Sequence, residues 1–85
     1  MIYRKSKGSS LLKKENIFYL VRNNDVYQIN ETCARIFDLC DGRRTKKCII
    51  STLMKFYNET AIETDIEEVL CFFESNRLIK VVDNE

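Results

Sequence analysis

The sequence predicts an α+β fold in which a β-hairpin precedes three short amphipathic helices. Two short runs rich in β-branched and aromatic residues, 17–21 and 26–29, stand on either side of four polar residues. Beyond residue 30, apolar residues recur in three segments at the spacing of one helix face. The chain has 85 residues, which is enough for one small domain with one core.

The first ten residues are predicted to form a flexible basic arm. A short apolar start at Ile2 and Tyr3 is followed by Lys-Ser-Lys-Gly-Ser-Ser, a polar stretch of the kind found in linkers. We therefore expect the ordered domain to begin near Leu11 and to comprise residues 11–85.

The hairpin is predicted from the polar segment between the two β-rich runs. Asn23 and Asn24 lie at its centre, and Asn tolerates positive φ better than other residues with a side chain, as a type I′ turn requires. The resulting register places two apolar pairs on one face, Leu20 with Tyr27 and Phe18 with Ile29.

The first helix is predicted over residues 31–41. Asn30 can cap its N-terminus and Gly42 can end it. Its apolar face consists of residues at i, i+3, i+4 and i+7, namely Cys33, Ile36, Phe37 and Cys40.

Two further helices follow. Thr45 can cap the second, whose apolar stripe fades at Asn58 and contains Ile49, Ile50, Leu53, Phe56 and Tyr57. Thr64 and Glu67 have the spacing of a capping box, which predicts a third helix over about 65–76 with the core stripe Ile66, Val69, Leu70 and Phe73. The apolar run 78–82 is then either a last extended segment or the docked end of this helix.

The composition argues against catalysis, because the chain has no histidine and so no imidazole base, nucleophile partner or metal ligand. The four cysteines are separated by 7, 8 and 23 positions, with no Cys-x-x-Cys pair. We expect no cofactor, no metal site and packing roles for Cys33, Cys40, Cys48 and Cys71. A cysteine-based metal or redox protein remains an alternative.

The charges are segregated along the chain. Residues 1–58 carry twelve bases and five acids, whereas residues 59–85 carry two bases and eight acids. A hairpin with three helices resembles a winged helix-turn-helix, but an acidic third helix would repel DNA. The alternative function is a nucleic-acid binder that uses the basic cluster at 43–47. No apolar run approaches membrane-spanning length and no secretory signal precedes the domain, so we expect a cytoplasmic protein without membrane contact.

Several short motifs resemble those of the PqqD-like family. They are Ile29-Asn30-Glu31-Thr32, Ile36-Phe37, Cys40-Asp41-Gly42-Arg43-Arg44-Thr45, Asp65-Ile66 and Leu78-Ile79. The resemblance covers roughly residues 11 to 82. One departure is Arg77, which stands where family members often have Gly before the closing Leu-Ile. Each motif also has a plain structural role as a cap, a turn or a core residue.

The resemblance implies a small three-stranded antiparallel sheet packed on three helices. It also implies the function of a recognition element for ribosomally made precursor peptides: the leader segment adds as a strand beside the third strand, against the third helix. The expected peptide-binding residues are five of the strand, Val26, Tyr27, Gln28, Ile29 and Asn30, and five of the third helix, Asp65, Glu68, Val69, Phe72 and Asn76.

The family also implies a second partner, a separate modifying enzyme that is often a radical-SAM protein. An open strand edge would in addition permit a homodimer. For Phe72 the alternative is burial under residues 78–82, and for Asp65 and Glu68 it is a solvated surface.

Overall fold

A computed structural model of the chain describes residues 1–57 and 62–82. Its elements are β1 (Ile2–Lys5), β2 (Ser9–Lys14), β3 (Ile17–Arg22), β4 (Asp25–Ile29), α1 (Glu31–Leu39), β5 (Asp41–Thr45), α2 (Lys46–Tyr57), α3 (Ile62–Ser75) and β6 (Ile79–Val82). Within the described residues these strands form two antiparallel sheets of three, and the predicted α+β class with three helices is confirmed. The predicted end of the second helix at Asn58 and the last three residues, 83–85, lie outside the described part.

One sheet has the order β2-β3-β4 and contains the predicted hairpin. Its register is confirmed, with Leu20 opposite Tyr27 and Phe18 opposite Ile29. The predicted type I′ turn is wrong, because only Asn23 of the two turn residues has positive φ, 54°. The preceding turn, between β2 and β3, does contain two successive residues with positive φ, Glu15 and Asn16.

The other sheet has the order β5-β1-β6, with β1 at its centre. The prediction of a flexible arm is therefore wrong for Ile2–Lys5, whose first two side chains, Ile2 and Tyr3, are buried. It is also wrong for Ser9 and Ser10, which begin β2. Gly42 lies within β5 at φ 83°, and a Cβ there would meet the Arg4 Cβ at 3.5 Å. It does not end the first helix as predicted, since α1 stops at Leu39.

The first two helices begin at the predicted caps. The Asn30 Oδ1 accepts a hydrogen bond from the Cys33 backbone N–H at 2.8 Å, and the Thr45 Oγ1 accepts one from the Cys48 N–H at 3.1 Å. Phe56, however, is 59% exposed, so its assignment to the apolar stripe of α2 is wrong. The Arg35 guanidinium lies 4.1 Å from the centre of its ring, a cation–π contact at the surface.

The third helix begins earlier than predicted. Because α3 starts at Ile62, Thr64 lies inside its first turn and is not the cap. Glu67, the expected partner in the capping box, instead accepts a hydrogen bond from the Lys46 ammonium at 3.3 Å. The boundary was misjudged because a Thr-x-x-Glu spacing also occurs within a helix, where both side chains reach solvent.

The end of α3 is closed by two backbone hydrogen bonds, from Arg77 N–H to Glu74 C=O at 3.0 Å and from Leu78 N–H to Phe73 C=O at 2.8 Å. This is the Schellman arrangement, in which the residue after the cap adopts the left-handed conformation. That residue is Arg77, with φ 59°. The following run is extended, as one of the two predicted alternatives, and forms β6.

The core lies between the helices and the inner faces of the sheets. Its largest fully buried side chains are Phe37, Phe73, Leu20, Ile36, Ile49, Leu53, Ile66, Leu70, Leu78, Ile79 and Cys40. Most of them belong to the predicted helical stripes. None of the helices in the described ranges is long and apolar enough to cross a membrane.

Candidate functional site

Strand β4 is an edge of its sheet, because within the described residues it pairs with β3 alone. Arg22 and Asp25 flank a two-residue loop and so form a hydrogen-bonded pair, after which bonded and non-bonded pairs alternate. By this alternation Tyr27 and Ile29 direct their main-chain groups toward β3. Val26 and Gln28 direct theirs away from the sheet. The edge therefore offers an extended chain the main-chain N–H and C=O groups of Gln28.

Asn30 closes one end of this edge. Its side chain caps α1 through the bond to Cys33, and its carbonyl accepts the Ala34 N–H at 3.0 Å. The first turn of α1 thus already uses this residue's carbonyl and side chain. The available edge is limited to the strand itself and ends where the helix begins.

The C-terminal part of α3 stands beside β4. The rings of Tyr27 and Phe72 meet edge to face with centroids 5.7 Å apart, and the Tyr27 hydroxyl donates to the Asn76 Oδ1 at 3.3 Å. The Asn76 amide nitrogen in turn donates to the Phe72 carbonyl at 2.9 Å. Three of the predicted residues are therefore brought together in one cluster that links strand and helix.

Phe72 keeps 43% of its surface exposed. It packs against Tyr27 on one side and is tilted against Phe73, 6.0 Å away between centroids, on the other. An aromatic ring fixed in this way beside an open strand edge offers an apolar contact for a side chain of an added strand. We call the surface formed by the β4 edge and by Tyr27, Phe72 and Asn76 the β4–α3 groove.

The other predicted residues of α3 are placed differently. Val69 is half-buried and packs against the core, as does Ile29 on the strand. Asp65 and Glu68 are exposed, and neither forms an ion pair with a described residue. A binding role for these four side chains stays a prediction.

The basic cluster at 43–47, the basis of the nucleic-acid alternative, is partly neutralised. Arg44 forms an ion pair with Asp41, and Lys46 forms one with Glu67. The hydrogen bond that the Lys46 ammonium donates to the Glu67 carboxylate raises the pKa of Lys46, as expected for a stabilised ammonium. Two of the four cations in the cluster thus already have carboxylate partners within the fold.

The cysteines fall into two groups. Burial raises the pKa of Cys33, and it raises the pKa of Cys40 to about 12, so these two thiols stay protonated at neutral pH. Cys48 and Cys71 are exposed, and the prediction that they pack in the core is wrong. Among the described residues there is no group of three or more potential metal ligands.

A free strand edge walled by a helix is the arrangement through which domains receive an extended peptide as an added strand. Residues 11–79 match the family model of coenzyme PQQ synthesis protein D, PqqD. Because this match spans most of the sequence, the chain belongs to the PqqD family.

Two comparisons with individual proteins agree with this assignment. The chain is 40% identical over 43 residues to the PqqA binding protein of Methylococcus capsulatus. That alignment covers 51% of this chain and 46% of the relative, so the chain matches about half of the relative's length. The solved structure of TbiB1 in complex with the TbiA(beta) leader peptide superimposes with a TM-score of 0.77, covers 95% of this chain and 99% of that one, and is 13% identical. This likeness confirms the fold.

Proposed function

We propose that this domain binds the leader segment of a ribosomally made precursor peptide by strand addition to β4. The observation that carries the proposal is the open edge of β4 beside the cluster of Tyr27, Phe72 and Asn76. Membership in the PqqD family supports it, as do a relative named for binding PqqA and a similarly folded protein solved with a leader peptide.

In this function the main chain supplies affinity and the groove supplies selectivity. Gln28 would donate and accept the central hydrogen bonds of the added strand, and Phe72 would contact an apolar leader residue. The domain performs no chemistry itself. It presents the peptide to a separate modifying enzyme, in many such pathways a radical-SAM protein, and raises the local concentration of the segment to be modified.

The test removes the outward donor of the edge. Replacing Gln28 by Pro deletes the main-chain N–H that faces the incoming strand and no bond to β3, so the fold should persist. We expect the affinity for a synthetic leader peptide of the precursor encoded beside this gene to fall at least about tenfold, because a buried carbonyl of the peptide is left unpaired. Affinity is measured by calorimetry and folding by circular dichroism.

The opposite edge of the same sheet provides a matched control. By the same alternation, Lys13 on β2 directs its N–H away from β3, so Lys13→Pro removes an equivalent outward donor far from the groove. It should leave leader affinity unchanged. Ile29→Pro removes an inward bond and should unfold the domain. A folded Gln28→Pro protein that binds as tightly as Lys13→Pro would rule out strand addition at β4.

A further inference from the structure

A second concave surface lies at the end of α3, between the hairpin and the other sheet. It is a cleft of about 660 Å³. The described residues that line it come from β1 and the turn after it, from the end of β3, from the end of α3 and from β6; they are Arg4, Ser6, Lys7, Arg22, Glu74, Arg77, Ile79, Lys80 and Val81. We call it the basic cleft.

The charge of this cleft is unbalanced. Five of its lining residues are cations and one, Glu74, is an acid. None of the five cations forms an ion pair with a residue in the described ranges. The two like charges of Arg4 and Lys80 lie directly opposite each other on β1 and β6, a cross-strand pair that destabilises a sheet when no anion lies between. The fold thus places five cations on one surface, and none of them is within ion-pair distance of a carboxylate in the described ranges.

One cation of the cleft has a hydrogen-bond donor that lacks an acceptor. The Nε of Arg22 is buried, and no group in the described part of the chain accepts its proton. A buried donor without a partner is costly, and an acceptor supplied by a ligand would remove that cost. A carboxylate is the acceptor that suits a guanidinium best, because both are planar and can form paired bonds.

Another cation of the cleft occupies a position that glycine would fill with less strain. Arg77 has φ 59°, a left-handed conformation that disfavours a residue with a side chain. It follows Asn76 directly, so the turn that ends α3 places one residue in the β4–α3 groove and the next in the basic cleft. The two surfaces therefore meet at this turn.

The hairpin joins the two surfaces in the same way. Arg22 pairs with Asp25, and Asp25 lies two residues before Tyr27 on the same face of β4. A peptide that added along the β4 edge and continued past the turn of the hairpin would therefore approach the cations of the basic cleft.

We propose that the basic cleft binds an acidic segment of the leader peptide, next to the segment that adds to β4. This inference rests on the proposed function and names the chemistry of the peptide that the domain selects. Strand addition alone discriminates weakly between sequences, because it uses main-chain groups. Carboxylates that pair with Arg22, Arg77 and Lys80 would add charge selectivity and faster association.

The experiment reverses two exposed charges of the cleft, Lys7→Glu with Lys80→Glu, and compares this variant with Lys14→Glu plus Lys47→Glu. The second variant makes the same change in net charge at exposed lysines outside the cleft. The probes are the synthetic leader peptide of the neighbouring precursor gene and the same peptide with every Asp and Glu replaced by Asn and Gln.

We expect the cleft variant to bind the leader about tenfold more weakly than the wild type at about 50 mM salt and the control variant to bind nearly normally. With the amide peptide the cleft variant and the wild type should differ little. Three results would overturn the inference: equal affinities of the two variants, an amide peptide that binds as well as the native one, or a native leader without carboxylates. A leader that the wild type does not bind at all would instead overturn the proposed function.

A second variant separates binding from folding. Arg77→Gly relieves the left-handed strain and removes one cation of the cleft. We expect its thermal stability to rise and its affinity for the leader to fall about two- to fivefold. A purely structural role of Arg77 predicts greater stability with unchanged affinity, and that outcome would exclude Arg77 from the peptide site.

Discussion

The exposed part of the Phe72 side chain allows its contribution to leader binding in the β4–α3 groove to be estimated from the structure. Fully burying a Phe side chain contributes about 1.5 to 3 kcal/mol. Since 43% of Phe72 is exposed, covering that part with a bound leader should contribute about 0.6 to 1.3 kcal/mol to the free energy of leader binding. We therefore expect Phe72→Ala to raise the Kd for the leader about three- to ninefold.

The same substitution removes contacts that the free protein already makes. A little more than half of the residue is buried against Tyr27 and Phe73. A fully buried Phe→Ala change costs about 3 to 5 kcal/mol, so a loss of about 2 kcal/mol in the free energy of unfolding is expected here. Urea unfolding measures this loss, and titration calorimetry of the folded variant measures the change in Kd.

Phe56→Ala is the matched control, because Phe56 is 59% exposed and lies on α2. It should leave the Kd unchanged. A folded Phe72→Ala protein with wild-type affinity would refute the assignment of Phe72 to the groove. If the two variants lost the same amount of leader affinity, general destabilisation of the domain would explain the effect.

Two further predictions concern charge and pH. If Asp65 and Glu68 face a basic leader residue, changing both to Lys should weaken leader binding by about 1 to 2 kcal/mol at low salt and leave the fold intact. Unchanged affinity in calorimetry would show that these two side chains only contact solvent. Burial raises the pKa of Cys40 from its usual 9.0 to about 12, so the stability this residue contributes is complete below pH 9 and is lost as pH rises toward 12. Cys40→Ala should lower the unfolding free energy at pH 7, and its difference from the wild type should shrink at high pH in urea titrations; a difference that stays constant would contradict this.

The parts of the fold that the sequence predicted are those specified by local pattern. The hairpin register follows from alternation around Leu20 and Tyr27, and the start of α1 follows from one Asn before an apolar stripe. Strands β1, β2 and β5 were not predicted, because they have no such pattern. The sequence of β5 is Asp-Gly-Arg-Arg-Thr, and it is extended because it pairs with β1, some 40 positions away in the chain.

The groove was predicted in outline for a similar reason. Helical spacing placed Phe72 off the core stripe, but its contact with Tyr27 joins residues that no local pattern connects. The basic cleft was not predicted at all, because its cations come from four separate elements. Only the packing of those elements brings the charges together.

The pairing of Ile2 with Val82 places the first and last described strands side by side. A linker of a few residues could therefore join them, and the exposed turn at Glu15 and Asn16 could be opened instead. Such a circular permutant would keep every strand pairing. It would also turn the pairing between β1 and β6, which closes the longest loop in the chain, into a local hairpin. It would also make the pairing of β2 with β3 the most distant in the sequence, and that pairing joins six residue pairs, whereas β1 and β6 pair over four. Since folding slows as contacts become more distant in sequence, the permuted domain should fold more slowly than the natural one.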